Sequence, residues 1–172
     1  MARAIAKTVL VSEFLLTGRR ARANRIVRSI TEFLATFCCG VFFGAAAYIS
    51  LVQHPAALET GGEFAARFFS PMYGRAAVMQ ASLALVGSAA ALAAFFCGAG
   101  RSWLLAAVLI ASVIPFTLLV IEPVNQQIKM IDPTADRAVQ LLIQWGNLHW
   151  ARTVASGLSF VTCLVGIGRT AA

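Results

Sequence analysis

Between residues 76 and 97 the chain carries no charged side chain. A helix crossing the hydrocarbon core of a bilayer needs about 20 mostly apolar residues, with every backbone polar group bonded inside the helix. Three more stretches meet this requirement. Residues 29–52 are uncharged after Glu32, and residues 102–121 are uncharged throughout. The fourth stretch, 148–168, must carry His149 and Arg152 into the membrane, because only sixteen residues separate Arg152 from the end of the run. Composition agrees. Charged residues make up 12% of the chain, against roughly 25% in a soluble domain. This excludes an ordinary soluble enzyme, a disordered chain and a disulfide scaffold. The expectation is an all-α fold, an integral membrane four-helix bundle with a basic amphipathic N-terminal arm over residues 1–28 and a short tail at 169–172.

The net charge of +7 does not point to nucleic acid, because half of the basic residues lie before position 30. Such a basic end beside apolar spans is a topology signal and a contact for anionic lipid headgroups. Ile5, Val9, Phe14, Leu15 and Leu16 among those bases fit an amphipathic helix on the inner leaflet. With the N-terminus inside, nine of the fourteen Lys and Arg residues lie on the inner side. The positive-inside bias then places both termini in the cytoplasm, in a multi-pass protein of a bacterial inner membrane.

Local signals organise the rest. Pro55 should stop the first span at His54, and Pro115 should bend the third. A short helix is expected over 62–69. Asp132-Pro133 reads as an N-cap followed by a first-turn proline, opening a helix that leads into the fourth span. Gly40 and Gly44, with Ala47, offer one small-residue packing face, and Ala84, Gly87, Ala91 and Ala94 another.

The candidate chemistry gathers at the outer end. At about 100° per residue, Trp145, His149, Arg152, Ser156, Ser159 and Cys163 share one face of the fourth span. Polar groups at membrane depth are costly and usually face a bundle interior or a cavity. Ser156, Ser159 and Cys163 are read as interhelical packing, whereas His149 with Arg152 is read as functional. His54 ends the first span, Glu122 and Asn125 close the third, and Tyr73, Arg75 and Gln80 open the second. His54, His149 and Glu122 could supply a two-histidine, one-carboxylate set for a mononuclear metal, although no paired spacing supports it. Cys38, Cys39, Cys97 and Cys163 form no CxxC and read as free apolar thiols.

These residues sit in a recognisable order. "VQHPA", "FFSPMYGRAAVMQ", "EPVNQQI" and "WGNLHWART" together resemble the anthrone-oxygenase-like membrane family, over roughly residues 33–168. The resemblance implies a four-helix membrane protein and, from the characterised members, oxidation of an anthrone to an anthraquinone with O2. It carries His54, Pro55, Tyr73, Arg75, Gln80, Pro123, Asn125, Trp145, His149 and Arg152 forward by motif position. Three functions stay open: an oxygenase for an apolar aromatic, an accessory subunit of a membrane complex, and a small binding or transport protein. In the first, His149 is the base, and Arg152 or Arg75 stabilises the enolate. His54 orients substrate or binds a metal, Tyr73 completes the catalytic set, and Gln80, Asn125 and Trp145 bind substrate. No cofactor is required by that chemistry.

Overall fold

The computed structural model describes residues 2–171, with side chains between residues 18 and 169. The arm's apolar positions Ile5, Val9, Phe14, Leu15 and Leu16 therefore lie outside the described side chains. Six α-helices follow in order: α1 (Ala2–Tyr48), α2 (His54–Thr60), α3 (Gly62–Ala94), α4 (Arg101–Phe116), α5 (Glu122–Met130) and α6 (Asp136–Ala171). Widened π-helical turns at Ile49–Gln53 and Thr117–Ile121 join α1 to α2 and α4 to α5. Four continuous helical stretches are long and apolar enough to cross a membrane: Gly18–Thr60, Gly62–Ala99, Arg101–Met130 and Asp136–Arg169. They form a square in which α1 packs on α3, α3 on α4, α4 on α6 and α6 back on α1. The expected all-helical four-helix membrane bundle is the observed fold.

The helices are longer than the apolar runs. Pro55 does not stop the first span. The chain widens over Ile49–Gln53, and the N–H of His54 reaches back to the carbonyl of Ile49. A proline ring clashes with the carbonyl four residues earlier, here Leu51, and a wider turn moves that carbonyl aside. The same device stands before Pro123, with Glu122 N–H reaching Thr117. The short helix expected at 62–69 is the start of α3, which runs on through Pro71 to Ala94. Gly61, at φ +129°, makes the sharp break before it. Asp132 does not cap α6, which begins at Asp136. Its carboxylate instead accepts the Thr134 backbone N–H at 2.9 Å and the Thr134 hydroxyl at 2.8 Å. Those bonds hold the Asp132 carboxyl below the usual carboxylate range.

Packing follows the small residues only in part. Ala84, Ala91 and Ala94 are buried as expected. A Cβ at Gly87 would sit 3.0 Å from that of Cys38, so the glycine sets how closely α3 approaches α1. The Gly40–Gly44 face splits. Gly40 packs under Phe160, but Gly44 faces open space, and the buried face of α1 is Ala35, Cys39, Phe42 and Ala46. Helices in lipid gain little from hydrophobic transfer and associate through close contact, so residues that fill the interface win.

The core has two apolar clusters. One, around Phe42, Trp103 and Ile110, fills the half near the α3–α4 turn, and the other, around Phe69, Ile121 and Leu142, fills the half capped by α2 and α5. Between them lies a buried polar layer of Ser50, Gln80, His149, Arg152 and Thr153.

Candidate functional site

The polar layer is built mainly by α6. Its face carries Trp145, His149, Arg152, Ser156, Ser159 and Cys163, all of them buried. Of the last three, Ser159 bonds across the bundle, donating to the Ala106 carbonyl of α4 at 2.9 Å, whereas Ser156 donates to the Arg152 carbonyl of its own helix at 2.8 Å. Cys163 is a free thiol in the apolar cluster.

Arg152 is 6% exposed and points inward, not to the membrane surface. Its Nη2 donates to Gln80 Oε1 at 2.5 Å, and its guanidinium carbon lies 5.6 Å from the centre of the Phe42 ring. Among the described residues no carboxylate pairs with it. Its Nε and the Gln80 Nε2 are both buried without a partner. Burying an uncompensated cation costs several kcal/mol. Arg152 and Gln80 form the floor of a cavity of about 160 Å³ between α3 and α4, with Phe42, Tyr73 and Val113 in its walls. Ala81 and Leu118 at its rim are exposed on the surface that faces lipid.

His149 adjoins this cavity through a small void shared with Tyr73, Gln80, Trp145 and Arg152. Its ring stacks on Trp145, with centres 4.8 Å apart and planes 29° apart. Its Nδ1 lies 2.9 Å from Ser50 Oγ, and Ser50 Oγ lies 2.9 Å from Thr153 Oγ1. Thr153 in turn reaches the carbonyls of Ala46 and His149 at 3.3 Å. If Thr153 donates to a carbonyl, Ser50 donates to Thr153 and accepts from His149 Nδ1–H. That order leaves the Nε2 lone pair free, the tautomer that a base needs. Ser50 and Thr153 were not singled out by sequence, because hydroxyls in apolar helices are common and usually bond only to their own backbone. If His149 acts as a base, Ser50→Ala is expected to lower turnover roughly tenfold, in the range seen for residues that orient a histidine. It should also mix the two imidazole tautomers, read from the ¹⁵N shifts of His149. An unmixed tautomer with unchanged turnover would make Ser50 a packing residue only.

The other expected site residues divide. Tyr73 lines the Arg152 cavity, but its hydroxyl points to Glu122 Oε2 at 3.3 Å. Asn125 is fully buried and donates to the same oxygen at 2.6 Å, with its own Oδ1 unpartnered. Gln126 donates to the other carboxylate oxygen, and Lys129 lies 3.9 Å from it. Asn125 thus braces Glu122 rather than lining the cavity. His54 packs against Trp145, their ring centres 5.1 Å apart. It borders a second cavity of about 150 Å³ that also touches His149, Ser50 and Trp150. Its Nε2 is buried, has no partner and presses on Gly146, where a Cβ would come within 2.6 Å. Arg75 is exposed in a different groove, between α1 and α3, away from Arg152. The metal set is not assembled. Glu122 is committed to Tyr73 and Asn125, and among the described residues no three His, Cys, Asp or Glu side chains come together as a metal group.

Fold and site together define a multi-pass four-helix membrane protein with a buried His–Arg–Gln layer beneath a cavity that opens toward lipid. A family model described as anthrone oxygenase matches residues 69–162, more than half of the chain and three of its four crossing helices. The chain belongs to the anthrone oxygenase family. No curated protein and no solved structure matches it.

Proposed function

We propose that the protein is a membrane oxygenase that converts an anthrone-type aromatic to its quinone with O2, in the cavity above Arg152 and Gln80. The observation that supports this reading most is Arg152 itself, a buried guanidinium with no carboxylate partner among the described residues, beside a Gln80 Nε2 that is also buried without one. A cation left uncompensated in a low-dielectric site is suited to an anion that forms during reaction. In an anthrone that anion is the enolate oxygen, formed when the activated methylene loses a proton.

His149 Nε2 takes that proton. Arg152 and Gln80 Nε2–H donate to the enolate oxygen. The enolate carbon then gives its electrons to O2 and forms a C–O bond, and the peroxide anion takes the proton back from His149. Loss of the remaining C–H proton with cleavage of the O–O bond leaves a ketone and one water. One O2 is consumed for each new ketone, and the substrate supplies the electrons. Trp145 fixes the plane of the imidazole, and Tyr73 with Phe42 supplies flat walls for an aromatic guest.

Purified protein in nanodiscs is expected to consume one O2 per anthrone and release the anthraquinone, above the spontaneous rate. Equal rates with and without protein would sink the proposal.

The capped end, where α2 and α5 lie, is proposed to face outward from a bacterial inner membrane, with both termini in the cytoplasm. Glu59→Cys and Thr134→Cys, at exposed positions, should then label with an impermeant maleimide from outside, in a background lacking native thiols. Labelling only after the membrane is opened inverts the topology.

A further inference from the structure

One recess in the molecule belongs to no part of the proposed reaction. It is a groove of about 400 Å³ between the end of α1 and the first half of α3, lined by Tyr48, Ile49, Gln53, Met72, Arg75 and Met79. Tyr48 and Met79 are about half exposed, so the groove faces the lipid rather than the bundle core. Arg75 makes no hydrogen bond or ion pair among the described residues. Arg67, about two turns earlier on the same helix, shows the contrast: it is paired with Glu63 at 2.9 Å.

An exposed guanidinium at the edge of an apolar span attracts the phosphate of an acidic lipid. Arg75 immediately precedes the uncharged run 76–97, and Gln53 immediately follows the apolar run 29–52. Both therefore stand at the level where phospholipid phosphates lie, while Ala45 and Met79 continue the groove toward the bilayer centre. A planar guanidinium offers two parallel donors to a phosphate.

We infer that this groove is a binding site for one anionic phospholipid, its phosphate on Arg75 beside Gln53 and one acyl chain laid along Tyr48, Ile49 and Met79. The site is independent of the reaction proposed above, and it gives Arg75 a role outside the Arg152 cavity. An acidic lipid fits better than a zwitterionic one, because the groove presents one cation and no carboxylate that could pair with a choline.

The test uses the full chain in nanodiscs of equal phosphatidylglycerol and phosphatidylcholine, transferred to mild detergent and weighed by native mass spectrometry. The parent should retain one phosphatidylglycerol in at least tenfold preference to phosphatidylcholine. Arg75→Gln should remove that preference. Met79→Trp, which fills the groove and keeps the charge, should lower retention of both lipids. Arg137→Gln, an exposed arginine outside the groove, should change nothing. Equal retention of the two lipids by the parent overturns the inference, as does phosphatidylglycerol retention that survives Arg75→Gln. Circular dichroism of each variant keeps a folding failure apart from a loss of lipid.

Discussion

Replacing His149 by glutamine is expected to abolish turnover of an anthrone-type substrate, with a fall in kcat of about 10²–10⁴, the usual share of a positioned base. Glutamine has similar reach and can keep a hydrogen bond to Ser50, so the polar layer stays bonded. It has no lone pair of suitable basicity. Helical content and resistance to unfolding in detergent should stay close to those of the parent, because the ring's main packing partner, Trp145, also rests edge-on against Phe69 at 5.2 Å. Oxygen uptake and ketone formation by the folded variant decide the matter. Turnover within error of the parent would remove His149 from the chemistry.

The second large effect concerns stability. Gln80→Leu should destabilise the bundle by about 3 kcal/mol, because it strips the acceptor from a charged group that is 6% exposed. Unfolding by steric trapping in bicelles measures this directly. The double variant Gln80→Leu with Arg152→Met should recover most of the loss, since the buried charge leaves with its partner. It should remain inactive, lacking both donors to the enolate oxygen. Arg152→Lys should fold but turn over slowly, because an ammonium cannot reproduce two parallel donors. If the double variant were less stable than Gln80→Leu alone, Arg152 would be stabilising through contacts other than Gln80.

The four crossing helices were legible in the sequence because nothing but a membrane span tolerates such long uncharged runs. The α6 face was legible too, since helical spacing alone aligns Trp145, His149, Arg152, Ser156, Ser159 and Cys163, and all six are buried. The widened turns were not. Whether a proline ends a helix or is absorbed depends on how the carbonyl four residues back can move, and packing decides that. Ser50 lies inside such a turn, where a regular wheel misplaces its direction. The sequence alone groups every polar residue at one end, whereas Gln80, His149 and Arg152 lie between the two apolar clusters and Tyr73 and Arg75 line different cavities. Tyr73 and Arg75 are two residues apart on one helix, about 200° around its axis. They cannot face one cavity, and Tyr73 pairs with Gln80, seven residues on, instead. His54 and His149 each lie against Trp145, with ring centres 5.1 Å and 4.8 Å from it, and both border the cavity of about 150 Å³ that Ser50 and Trp150 also line.

The exposed rim at Ala81 and Leu118 has a consequence for how the proposed reaction would be measured. A guest that enters between α3 and α4 arrives from the hydrocarbon, so its effective concentration is its mole fraction in the bilayer. The amount per millilitre of buffer then has no direct meaning for the site. Adding empty lipid at fixed protein and fixed substrate thins the guest out in two dimensions and would slow the proposed reaction, as an inhibitor does. A Michaelis constant for such a cavity is a property of the lipid phase, and two laboratories using different lipid-to-protein ratios would report different values for the same molecule.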